Sequence, residues 1–275
     1  MQALSSRYPV WFCDIWGVVH NGVTPYEAAG QALAQHRRNG GIVILVTNAP
    51  RTSKDVVLQL NHLGVTPESY DHVVTSGDVT RTLMTDHARG KAFYLGPPRD
   101  TSIFEGLHVE RVALKEANAV LCVGLVNDAT ETPEDYKSLL GEMKALGLPM
   151  ICANPDKIVR KGNRLQFCAG ALAEAYDAIG GTVLMAGKPF TPIYVLAKHV
   201  AETIAGRTFP KEEILAIGDG PETDIRGAAD FGLDVVLIAD GVTDASSGLE
   251  ATRARIAALV PEARIVKTQY RLAWD

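Results

Sequence analysis

A doubly wound α/β fold built on a parallel sheet is what the sequence predicts, on three observations. Short apolar runs recur along the whole chain, helical patterns with start and stop signals lie between many of them, and polar residues able to do chemistry follow several runs. The runs occupy residues 10–13, 42–46, 73–74, 93–95, 119–123, 150–153, 183–185, 214–217 and 235–238. Runs this short and this apolar suit strands buried on both faces, as a parallel sheet requires.

The helices follow in order. Thr24-Pro25 opens the first, threonine capping and proline taking the first turn, and Gly40 closes it. Ser53 starts the second, with Val56, Val57, Leu60 and Leu63 on one face before Gly64. Thr132-Pro133 and Gly147 bound a third. Thr191-Pro192 opens a fourth, with Ile193, Leu196, Val200 and Ile204 on one face.

At 275 residues the chain has room for one core plus an insert, and 47% hydrophobic with 21% charged residues excludes wholesale disorder, collagen-like structure and coiled coil. A net charge of −5 has the wrong sign for neutralising phosphates, so nucleic acid is not an expected partner. Cys13, Cys122, Cys152 and Cys168 are far apart and three sit inside apolar runs, which fits neither a disulfide framework nor zinc-ligand spacing and suits a reducing compartment. Residues 1–9 lack the basic start and apolar run of a signal peptide, and no stretch reaches the roughly 18 apolar residues of a membrane span, so a cytoplasmic protein with no membrane partner is expected. Walker loop, dinucleotide fingerprint and Gly-x-Ser-x-Gly elbow are all missing from the sequence.

Ligands of open parallel sheets bind beyond the carboxyl ends of strands, so the residues after each run matter most. They are Asp14-Ile15-Trp16-Gly17, Thr47-Asn48, Gly187-Lys188-Pro189 and Gly218-Asp219 through Thr223-Asp224. Two or three carboxylates can hold one Mg²⁺, a hard cation that prefers oxygen. With that charge cancelled, Asp14 can attack phosphorus as a carboxylate nucleophile, while Lys188, the Thr47 hydroxyl and the Asn48 amide stabilise the transferring group.

In these motifs the chain resembles the haloacid dehalogenase (HAD) superfamily, whose pattern is an Asp-x-Asp-Gly strand end, a Thr or Ser, a Lys, and Gly-Asp-x-x-x-x-Asp; all four positions occur here in that order. The wording Val46-Thr47-Asn48, Asn154-Pro155-Asp156, Gly170-Ala171-Leu172 and Gly187-Lys188-Pro189 is similar to the class IIA, NagD-like branch, which includes sugar-, nucleotide- and pyridoxal-phosphate phosphatases. The resemblance implies a HAD-like Rossmannoid core at 1–79 and 181–275, with an α/β cap of the C2 type, carrying substrate specificity, at 80–180. It implies Asp14 as nucleophile and metal ligand, Thr47 and Asn48 as phosphate-binding, Lys188 as charge-stabilising, Asp219 as metal ligand, Asp224 as a supporting carboxylate of the metal site, and Gly22 in a flexible turn. Mg²⁺ is the implied cofactor, a small phosphorylated metabolite the implied substrate, and a homodimer through the cap an analogy with capped relatives.

One position departs from the pattern. Trp16 stands where the family's phosphatases carry a second aspartate, the general acid that protonates the departing alcohol. Indole cannot do this, although the backbone carbonyl of Trp16 can still reach the metal. The expectation is therefore a Mg²⁺-dependent phosphatase working through a phospho-aspartyl intermediate, slow or limited to good leaving groups. A catalytically silent phosphate-binding or regulatory protein is the alternative. Metal-free dehalogenation is disfavoured by retention of Asp219 and Asp224.

Each residue also has a plainer reading. Asp14 and Asp224 can be caps, and Lys188 a solvated charge. Trp16 is read first as packing and second as a wall of the site; His20, four residues on, is read as structural before it is read as a substitute acid. Arg51, Arg99, Lys157, Arg160, Lys161 and Arg164 are candidate anion attractors that are usually solvated, and the run from 157 to 164 is the better candidate for specificity.

Overall fold

A computed structural model describes residues 1–161, 164–241 and 245–275, apart from the side chains of residues 160, 161 and 164. The chain begins with α1 (Gln2–Arg7), β1 (Val10–Cys13), α2 (Glu27–Arg38), β2 (Ile42–Thr47), α3 (Ser53–Leu63) and β3 (His72–Thr75). Its middle runs through α4 (Ser76–His87), β4 (Lys91–Leu95), β5 (Glu110–Arg111), β6 (Ala119–Cys122), α5 (Lys137–Ala145), β7 (Met150–Cys152), β8 (Ile158–Lys161), β9 (Arg164–Phe167), α6 (Ala169–Ala178) and β10 (Val183–Met185). It closes with α7 (Thr191–Ala205), β11 (Ile214–Gly218), α8 (Arg226–Phe231), β12 (Asp234–Ile238), α9 (Leu249–Leu259) and β13 (Arg264–Gln269).

The chain divides into two compact units. One comprises residues 1–47, 54–74 and 188–275; the other is inserted into it and comprises 48–53 and 75–187. The sequence reading put the insert at 80–180. In the first unit a six-stranded sheet has the order β13-β12-β11-β1-β2-β3, with β1 parallel to both β2 and β11. Chain order therefore reverses at β1, which makes the carboxyl ends of β1 and β11 the crevice where such sheets bind ligands. β1 and β11 are buried along their whole length because helices cover both faces, and this is why their sequences are unbroken apolar runs.

The inserted unit carries a five-stranded parallel sheet, order β10-β7-β6-β4-β5, and an antiparallel hairpin, β8-β9. Alternate residues of its central strands feed two cores: Val120, Cys122, Met150 and Cys152 pack with α5 and α6 residues, while Ala119, Leu121, Ile151 and Ala153 pack around Met84 and Ile103. Among the described residues no helix is long and apolar enough to cross a membrane.

Two helix expectations need correction. α2 starts at Glu27 without a side-chain cap, because Thr24 and Pro25 are used earlier: the Asn21 side-chain oxygen accepts from the backbone N–H of Val23 and Thr24, and Pro25 bridges to His20. α7 does begin at Thr191, but its buried face is Ile193, Tyr194, Ala197 and Ala201, rotated from the expected stripe, and Ile204 is exposed. Tyr194 stacking on Phe231 of α8 sets that rotation. Thr132 and Asp135 form a capping box over a 3₁₀ turn that leads into α5.

Candidate active site

Because Cys13 of β1 lies in register with Ile217 of β11, the residues that follow both strands emerge together. The Asp14 backbone N–H donates to the Ile217 carbonyl at 2.8 Å, and Asp219 follows one residue beyond β11. Asp224 stands in the turn Pro221–Ile225 that leads into α8. Oxygens from the three carboxylates lie within 4.8 Å of one another, the one such cluster among the described residues, and all three side chains are buried.

Lys188, between β10 and α7, enters this cluster with its side chain only 4% exposed. Its ammonium donates to Asp14 Oδ1 at 2.5 Å, to Asp224 Oδ1 at 2.7 Å and to the Val46 carbonyl at 3.0 Å. An ammonium has three protons, and these three acceptors match them. The Val46 contact also ties Lys188 to the end of β2, whose last residue is the buried Thr47.

The electrostatics follow from three clustered acids, two of them paired with one base. Burial pushes the Asp14 carboxyl well above its usual range; the Lys188 ammonium opposes that rise, and the neighbouring Asp224 and Asp219 carboxylates reinforce it. Burial by itself lowers Lys188, but Asp14 and Asp224 outweigh it and hold the ammonium well above its ordinary value. Lys188 is therefore charged.

Glycines make the close packing feasible. A Cβ on Gly17, at φ +85°, or on Gly241 would overlap the Asp219 carboxylate, and one on Gly218 would overlap the Asp224 side chain. The Gly220 N–H donates to Asp224 Oδ2 at 3.1 Å. Sequence reasoning did not find Gly241: nothing near it in the chain points to Asp219, and only the fold brings the two together.

The other expected residues fall as follows. Asn48 belongs to the inserted unit, where its Nδ2 donates to Asp156 Oδ1 at 2.9 Å. Trp16 is 38% exposed; its ring lies across Gly22, at φ +86°, where any Cβ would collide with it, and meets the His20 ring edge-on at 5.4 Å. His20 is buried, its Nδ1 accepts from the Gly22 N–H at 2.9 Å, and burial lowers it to about 4, so it is neutral at neutral pH and holds the turn. The structural reading of His20 is the one its surroundings favour.

Three of the expected anion attractors in the insert pair with carboxylates of that unit. Arg51 pairs with Asp100 at 3.0 Å, Arg99 with Asp100 and Asp128, and Lys157 with Glu174 at 2.7 Å. The side chains of Arg160, Lys161 and Arg164 lie outside the described ones. All four cysteines are free and buried, and burial pushes each thiol up.

Comparison with known proteins agrees with this architecture. The family model described as haloacid dehalogenase-like hydrolase matches residues 11–110, and a second, HAD-hydrolase-like model matches 185–263. A crystal structure of a haloacid dehalogenase-like hydrolase from Brucella suis 1330 is 44% identical, covers 99% of this chain and 98% of its own, and superposes with a TM-score of 0.89. The chain belongs to the haloacid dehalogenase-like hydrolase family. Within the family it is NagD-like: ribonucleotide monophosphatase NagD of Escherichia coli K12 is 24% identical over 84% of this chain and 87% of its own. Dihydroxyacetone phosphatase of Corynebacterium glutamicum strain R is 25% identical over 75% and 71%.

Proposed function

We propose that this hydrolase is a Mg²⁺-dependent phosphatase of small phosphorylated metabolites, with Asp14 as nucleophile and with no acid at position 16. The observation that carries the reading is the buried cluster of Asp14, Asp219 and Asp224, with Lys188 paired to Asp14 and Asp224. The names of the curated relatives support it, since NagD and the dihydroxyacetone enzyme are both named phosphatases.

The donor set fits the metal. Its ligands are oxygens only, the donors a hard divalent cation prefers. Asp14, Asp219 and Asp224, with the backbone carbonyl of Trp16, would hold it; bound there, it would cancel the repulsion between carboxylate and phosphate and polarise the phosphoryl group.

The chain's own residues then divide the work. Asp14 Oδ attacks phosphorus; the new O–P bond forms as the bond to the leaving oxygen breaks, and that oxygen departs with the electron pair. Lys188 offsets charge on the equatorial oxygens, and the Thr47 hydroxyl and Asn48 amide donate hydrogen bonds to them. Water then attacks phosphorus of the acyl phosphate, releasing inorganic phosphate and restoring Asp14. Indole can neither protonate the leaving oxygen nor take a proton from that water, and a missing acid–base group costs about 10²–10⁴ in rate. Acyl phosphates, phosphoanhydrides and activated aryl esters, whose leaving groups depart unprotonated, are the substrates this site favours. The inserted unit acts as the specificity cap, and the enzyme works in the cytoplasm, a compartment that suits its four free thiols.

Hydrolysis of acetyl phosphate and p-nitrophenyl phosphate, with and without EDTA and with Asp14→Asn as control, tests the reading. Activity lost in both controls is expected; a variant as fast as the parent rules the mechanism out. The missing acid–base group at position 16 favours one second reading, a silent protein that keeps Mg²⁺-dependent phosphate binding, which any steady turnover of a physiological phosphate ends.

A further inference from the structure

Two of the joints between the units adjoin residues of the proposed chemistry. Asn48 stands one peptide bond after Thr47, and Gly187 one before Lys188. Inside the inserted unit these two ends meet face to face. A Cβ on Gly187 would overlap Asn48 Oδ1 and would lie 2.8 Å from Pro155 Cδ and 2.9 Å from Ser76 Oγ, so only glycine permits the approach.

Asp156 decides how the Asn48 amide lies in this contact. A carboxylate is acceptor-only, so the side it faces is the amide's N–H₂, and the amide oxygen is thereby turned to Gly187. Asp156 is itself braced. Its N–H donates to Oδ1 of the buried Asn154 at 3.0 Å, its carbonyl accepts from the Gly170 N–H at 3.2 Å, and a Cβ on Gly170 would overlap the Pro155 carbonyl. A stiff turn thus presents one carboxylate to one amide, 108 residues away in the chain.

We infer that Asp156 is a positioning residue of the phosphoryl-transfer centre, acting through Asn48 to hold together the two backbone joints that carry Thr47 and Lys188. The inference rests on the proposed reaction for its catalytic consequence, not for the clasp itself. Lys188 makes bonds of 2.5–3.0 Å to three acceptors, and a slip of about 1 Å at such a site can cost about 10² in rate.

The test has two arms on the full chain. In the first, amide hydrogen exchange is followed by mass spectrometry on the peptides spanning 46–50 and 184–190, which needs neither ligand nor turnover. Asp156→Ala is expected to speed exchange in both peptides about tenfold, whereas Asp156→Asn, whose amide oxygen can accept the same bond, stays close to the parent. Unchanged exchange at either joint, or Asn behaving as Ala does, overturns the clasp. In the second arm, kcat and KM for p-nitrophenyl phosphate are measured on Asp156→Ala, Asn48→Ala and the double variant. Asp156→Ala is expected to lower kcat about tenfold with KM moved less than about threefold, Asp156→Asn to recover most of it, and the double variant to be no slower than Asn48→Ala. Losses that multiply refute action through Asn48. A parent that shows no Asp14-dependent turnover refutes the proposed function, and the exchange arm still decides the clasp.

Discussion

Replacing Lys188 by methionine removes the ammonium while keeping its length and much of its volume. At 2.5 and 2.7 Å, and with an effective dielectric of about 20, each carboxylate contact of Lys188 is worth about 6 kcal/mol of Coulomb energy. Most of that is offset by the several kcal/mol it costs to take each ion out of water, but Lys188→Met leaves the acids desolvated and removes only the attraction. The expected loss is about 3–5 kcal/mol of folding stability, the usual result of breaking a buried pair from one side. Urea denaturation at neutral pH in EDTA reads this directly, and Mg²⁺ should narrow the gap because the carboxylates regain a counter-charge. kcat should fall about 10²–10³, as for loss of a donor aimed at developing charge. If the variant in EDTA unfolds within about 1 kcal/mol of the parent, Lys188 is not the charge that holds the acids together.

The remaining predictions are smaller. Trp16→Asp restores a carboxylate at the acid position and should raise hydrolysis of alkyl phosphates about 10²-fold with little effect on acetyl phosphate; equal change on both would separate position 16 from leaving-group protonation. Gly241→Ala drives a methyl group into the Asp219 carboxylate and should weaken Mg²⁺ binding at least about tenfold by calorimetry, with an unchanged affinity counting against Asp219 as a ligand. His36, stacked on Trp11 at 3.8 Å with Nδ1 against Ser5 Oγ at 2.8 Å, is lowered by burial from 6.5 to about 4. Between those values only the unfolded chain takes up its proton, so its contribution is complete above pH 6.5 and fades as pH falls towards 4, about 3 kcal/mol at most. His36→Gln should flatten that slope in urea melts at pH 4.5–7, and a parallel slope would refute the assignment.

What the sequence made legible follows from burial. Strands covered on both faces must be continuously apolar, so β1, β2, β6, β7, β11 and β12 could be read directly. β13, with the sequence RIVKTQ and only Ile265 buried, sits at a sheet edge and has no such run; the hairpin β8-β9 carries four charged or amide residues, and β5 is two residues long. The proposed site was readable where its side chains directly follow buried strands, as Asp14 and Asp219 do. It was not readable where partners are distant in the chain, as Gly241 is from Asp219 and Asp156 from Asn48. Trp16 is not settled by its type: tryptophan is buried on average, yet here the side chain is 38% exposed while its ring lies across Gly22.

The central claim is that the Asp14 carboxylate takes the phosphoryl group. Acid-quenched single turnover with acetyl phosphate and Mg²⁺, followed by peptide mass spectrometry, tests it most directly. The account predicts one phosphoryl group on the peptide containing Asp14, absent in Asp14→Asn and absent in EDTA. Hydrolysis that proceeds with that peptide unmodified throughout, or a phosphoryl group carried by another residue, would contradict it.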